Sequence, residues 1–106
     1  MDRQALTGAA LSLLLAAPAL ADEALLAQGR QVFLEQAQPS CSLCHTLREA
    51  GASGAVGPDL DQLRPDAARV AAAVRNGLGV MPPFAASLSD EQIRAVAHYV
   101  SSVAGQ

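Results

Sequence analysis

The chain has 106 residues, ten acidic and seven basic side chains, a net charge of −3, and 51% apolar but only 3% aromatic residues. That length bounds it to a single domain. The acidic balance, without clustered cations, argues against nucleic acid as a partner. Both cysteines fall within five residues, which leaves no disulfide framework to staple the fold.

Residues 1–21 read as a secretory signal peptide. Arg3 gives a positive start, Ala5 to Ala17 is apolar, Pro18 breaks that run, and Ala19-Leu20-Ala21 offers an A-x-A cleavage site. The apolar run is shorter than the roughly 20 residues a spanning helix needs. The alternative is an uncleaved anchor, and nothing later in the chain is apolar enough to span a bilayer. Cleavage leaves residues 22–106, with six arginines, no lysine and nine acids. Those 85 residues lie near the lower limit for a self-sufficient apolar core. Export places them in the periplasm, an oxidising compartment for two thiols.

A first helix is predicted from about Asp22 to Gln36. Leu25, Leu26, Gly29, Val32, Phe33 and Gln36 share one stripe, and Asp22 and Glu23 suit its first turn. Gly29 in mid-helix costs about 1 kcal/mol against alanine, and close approach of another backbone would account for it. After Pro39, Ser40 to about Leu47 is a short turn or helix. Gly57-Pro58-Asp59-Leu60 reads as a turn, and no alternating β pattern appears before it. A second helix is expected to start at Pro65, with Ala67, Val70, Ala71 and Val74 inward and Gly77 as C-cap. Two prolines hold the loop Leu78 to Phe84 extended. The last helix has the strongest signals. Ser89 and Gln92 make a capping box, Leu88 and Ile93 a hydrophobic staple, and Ile93, Val96, Ala97, Val100 and Val103 a buried stripe with Tyr99 beside it.

The segment after Pro39 carries the chemistry. Cys41-Ser42-Leu43-Cys44-His45 is a C-x-x-C-H run, the signature of covalent c-type haem attachment. Two thiols three positions apart can each add to one haem vinyl group, and the adjacent histidine then sits under the iron. Other uses of these residues stay open. A Cys41–Cys44 disulfide would close a tiny loop and constrain little chain entropy. A redox dithiol needs a βαβ context, for which no strand precedes Cys41. A zinc site would have to recruit His98 to Cys41, Cys44 and His45.

Met81 is the one methionine outside the signal segment. It lies in the proline-flanked loop and not on a helical stripe, which suits an axial ligand better than a core filler. A thioether favours reduced iron and raises the potential relative to two histidines. His98 is the rival ligand, but it falls outside the apolar stripe of its helix and reads as a solvated side chain.

The motif Cys41 to His45, then Gly57-Pro58-Asp59-Leu60, then Met81-Pro82 before a last helix resembles the small bacterial class I cytochromes c. The resemblance covers essentially all of residues 22–106. It implies an all-α class I cytochrome c fold, three main helices around one covalently attached haem c. It implies that the Pro58 carbonyl accepts a hydrogen bond from His45 and so orients its ring. It also implies that the first and last helices cross at Gly29 beside Phe33 and Tyr99. Two features depart from the family. The tryptophan that often bonds a haem propionate is missing, so Arg64 or Arg75 is looked to instead. The lysine ring of the mitochondrial branch is missing too. Gly77-Leu78-Gly79-Val80-Met81-Pro82 is similar to haem subunits of periplasmic dehydrogenases, including sulfite-oxidising ones.

The expected function is therefore a periplasmic one-electron carrier and not an enzyme. Cys41 and Cys44 would hold the haem, and His45 and Met81 the iron. The donor would be a dehydrogenase or quinol-oxidising complex and the acceptor an oxidase or reductase, with net charge mildly favouring a positive docking surface. The alternatives are a tightly bound haem subunit of a dehydrogenase and a ligand sensor in which Met81 is displaced.

Overall fold

The computed structural model describes the backbone of residues 2–106 and the side chains from residue 17 onward. Among the described residues four α-helices are joined by turns and loops: α1 (Asp2–Gln31), α2 (Leu60–Leu63), α3 (Ala67–Asn76) and α4 (Asp90–Val103). A π-helical turn, Val32–Gln36, ends the first helix where the sequence predicts. Its start differs. The helix does not begin at Asp22 but continues back through Pro18 as one element. Alanine and leucine on either side are strong helix formers, and one proline removes only one ladder donor. The side chains of residues 1–16, most of the expected signal peptide, lie outside the described residues.

α4 is the central packing element, set against both α1 and α3. The capping box at its start is complete: Ser89 Oγ accepts from Gln92 N at 3.1 Å and Gln92 Oε1 from Ser89 N at 2.8 Å. Leu88 and Ile93 on either side of it are buried. Ile93, Val96, Ala97, Tyr99 and Val100 fill the core, with Val103 half-buried at the helix end. α1 crosses α4 at Gly29. A Cβ there would strike the Ala95 carbonyl oxygen and lie 2.5 Å from Tyr99 Cβ, so only glycine permits the approach. Phe33 and Tyr99 meet edge-on next to the crossing, centroids 6.1 Å apart at 64°.

Local details differ from the expectation. α3 begins after Asp66, not at Pro65, because the Asp66 carboxylate accepts from Arg69 N at 2.8 Å and serves as the N-cap. Val70 and Val74 are buried, whereas Ala67 is exposed. The turn at Gly57–Leu60 runs on into α2, one helical turn capped by Asp59 and stopped by Arg64 at φ 49°. Between the cysteine motif and that turn lies a two-residue antiparallel ladder, β1 (Thr46–Leu47) with β2 (Ala52–Ser53). Two residues are too few to produce an alternating pattern. The fold remains all-α, and among the described residues no helix is long and apolar enough to cross a membrane.

Candidate functional site

The cysteine motif is anchored by the end of the first helix. The π turn leaves carbonyls free, and Ser40 Oγ bonds two of them, Phe33 O at 3.1 Å and Leu34 O at 2.9 Å. Ser40 also caps the 3-10 turn Cys41–Leu43. That turn bonds Cys44 N and His45 N back to the Cys41 carbonyl at 3.2 and 3.0 Å. The two cysteines and the histidine therefore share one tight turn. Both thiols are free, and burial pushes the Cys41 thiol up to about 11. A thiol so far from ionisation is a poor redox dithiol, which needs a lowered pKa.

His45 is fixed by the turn ahead of α2. Its Nδ1 donates to the Pro58 carbonyl at 2.7 Å, which leaves Nε2 with a free lone pair. Gly57 N bonds Cys44 O at 2.7 Å, and a Cβ on Gly57 would come within 2.6 Å of His45 Cε1. Glycine at 57 is thus what lets the imidazole lie flat on this loop.

Met81 comes from a separate loop that also lines the cavity. The chain leaves α3 at Gly77 with φ +73°, and Leu78 and Met81 exchange two backbone hydrogen bonds of 3.0 Å. Phe84 N then returns to Val74 O at 2.8 Å and closes the loop. Met81 is half-buried against the core.

These segments enclose one cavity of about 380 Å³. Cys41, Cys44, His45, Pro58 and Met81 all line it, among walls that include Phe33, Leu60, Val70, Val74, Phe84 and Val96. His98 does not. Its Nε2 lies 2.7 Å from Asp22 Oδ1, where it ties α4 to α1. The rival ligand is thereby removed, and the zinc reading loses its fourth donor. Among the described residues no cluster of three or more His, Cys, Asp or Glu side chains is arranged to hold a metal ion. The donors lining the cavity suit a c-type haem: two thiols on one turn, an oriented imidazole nitrogen, a thioether on a separate loop, and apolar walls for a porphyrin.

Sequence reasoning missed two residues that bear on the site. Asp61 is the one buried charged side chain among the described residues, accepting from Arg48 N at 2.8 Å and Gly105 N at 2.9 Å. The Gly105 bond, then the Arg48 N–H and the nearby guanidiniums, hold its carboxyl below the usual range against the opposing cost of burial. Arg69 lines the cavity, whereas the two expected arginines are engaged elsewhere: Arg75 pairs with Asp90 at 2.6 Å and Arg64 bonds Asp61 O at 3.4 Å. No sequence signal separates Arg69 from the other arginines.

A family model described as cytochrome C oxidase, cbb3-type, subunit III matches residues 24–100. Among solved structures, the chain is similar to the c-type cytochrome SorU from Sinorhizobium meliloti. The two are 57% identical over 79% of this chain and 95% of that one, with a TM-score of 0.75.

Proposed function

The chain belongs to the cytochrome c family, and from that premise we propose that Cys41 and Cys44 carry the thioether bonds to its haem while His45 and Met81 occupy the two axial positions. The protein is a c-type cytochrome with covalently bound haem c, an electron-transfer protein and not itself an enzyme. Bound haem supplies a one-electron ferric–ferrous couple. The side chains around it set how that couple behaves. Pro58 holds the His45 ring and its tautomer through the Nδ1 hydrogen bond. The Met81 thioether is a soft neutral donor that favours the reduced form. Val80, Pro82 and Phe84 beside it add apolar surface to the cavity lining.

The observation that carries this reading is the convergence of Cys41, Cys44 and His45, Pro58, and Met81 on one apolar cavity from three separate segments. The test is the absorption spectrum of the protein matured in a host competent for haem attachment. The oxidised form should show a weak far-red sulfur-to-iron band that Met81→Ala abolishes, with carbon monoxide then binding the reduced form rapidly. Persistence of that band in Met81→Ala would overturn the methionine assignment. Wild-type protein of bare chain mass would overturn the attachment.

The periplasmic placement and the removal of residues 1–21 belong to the same reading. They rest on the A-x-A site at Ala19–Ala21 and on a family match that begins at residue 24. The partners follow as redox proteins: a dehydrogenase or quinol-oxidising complex upstream, an oxidase or reductase downstream. A free carrier should run as a monomer in gel filtration. A dedicated dehydrogenase subunit, the second reading suggested by Gly77–Pro82, should co-purify with its enzyme.

A further inference from the structure

The cavity that receives the haem is almost without charge. Its lining contains no aspartate, glutamate or lysine, and Arg69 is its one permanent cation. Yet haem brings two propionate carboxylates, and the chain has no tryptophan to bond one. Most of the other arginines differ from it in their partners. Arg30 pairs with Glu49 at 3.4 Å, Arg48 reaches Asp61 at 4.0 Å, Arg75 holds Asp90, and Arg64 bonds the Asp61 carbonyl. Arg69 and Arg94 alone make no side-chain ion pair or hydrogen bond among the described residues. Arg94 is on α4, in a groove beside Ala97 and His98 away from the cavity.

We propose that Arg69 is the cationic partner of a haem propionate, the role for which Arg64 or Arg75 was expected. The assignment rests on the haem occupying this cavity. Arg69 stands in the first turn of α3, where its backbone N–H donates to the Asp66 carboxylate at 2.8 Å. Val70, next to it in sequence, and Pro65, four residues earlier, also line the cavity. A guanidinium offers two parallel donors to a carboxylate and stays charged at any working pH. Placed there it compensates propionate charge, and it opposes the extra positive charge of ferric iron.

The experiment compares Arg69→Gln with Arg94→Gln in the haem-loaded protein. Both variants lose the same charge from an exposed helical position. Spectroelectrochemical midpoints and the propionate bending band in resonance Raman spectra are the readouts. Arg69→Gln should lower the midpoint more than Arg94→Gln and displace the band, which Arg94→Gln should leave in place. Equal midpoints with an unmoved band in Arg69→Gln would overturn the assignment while leaving the haem site intact. A wild-type protein without haem absorbance would instead remove the site itself. Should Arg69→Gln fail to accumulate, Arg69→Lys decides. It keeps the charge but loses the paired donors, so a displaced band supports the pairing and an unmoved band refutes it.

Discussion

At the scale of single residues, Asp61 ties together two stretches far apart in the chain. Its carboxylate joins the segment after the cysteine motif, through Arg48 N, to the last residues of the chain, through Gly105 N. Two charge-assisted bonds to a side chain only 8% exposed hold that junction. Asp61→Asn should cost about 1–3 kcal/mol at neutral pH, read as a lower urea midpoint. Because the folded carboxyl titrates below its unfolded value near 4, its contribution is full above that value. It is lost as pH falls through the folded value. The gap between wild type and variant should therefore be widest near neutrality and shrink below about pH 4. A gap independent of pH would show that the charge plays no part.

At the scale of elements, the crossing of α1 on α4 organises the fold. Tyr99 supports it twice. Its ring packs on Phe33, and its hydroxyl donates to Glu49, which pairs with Arg30 of α1. Burial, and then the Glu49 carboxylate, push the phenol well above its ordinary range, so it stays a neutral donor. Gly29 permits the contact. Alanine would normally improve a helix by about 1 kcal/mol over glycine. Here its methyl enters the Ala95 carbonyl, and overpacking of that kind costs about 1–3 kcal/mol. Gly29→Ala should thus lower thermal stability in spite of its better propensity. A rise in Tm would mean that the helices can separate freely at this point.

For the molecule as a whole, the cavity and the core are one structure. Phe33, Leu60, Val70, Val74, Phe84 and Val96 belong to both. Without haem the apolar walls of this cavity of about 380 Å³ would stand open to water, at about 25 cal/mol for each Å² so exposed. The whole stability of a typical domain is only about 5–15 kcal/mol, so a small domain has little margin for that exposure. Cys41→Ala, Cys44→Ala protein should accordingly be largely unfolded by far-ultraviolet circular dichroism. A native-like helical spectrum would show that the polypeptide closes the void unaided.

Sequence alone determined what is local along the chain. The spacing of Cys41, Cys44 and His45 places two thiols and an imidazole on one turn. The box at Ser89 and Gln92 closes within four residues, and Met81 stands between glycine and prolines whose backbone limits are intrinsic. Gly29 was legible because a glycine in mid-helix carries a cost that only a close neighbour explains. Tertiary structure decided which groups meet across the chain. It sent His98 to Asp22, turned Arg75 to Asp90, left Arg69 on the cavity, and buried Asp61 between Arg48 and Gly105. Caps and covalent motifs are satisfied by bonds within a few residues, so their pattern is written in order. Six arginines on helices and turns have near-identical local preferences, and only the packing of α3 and α4 distinguishes their surroundings.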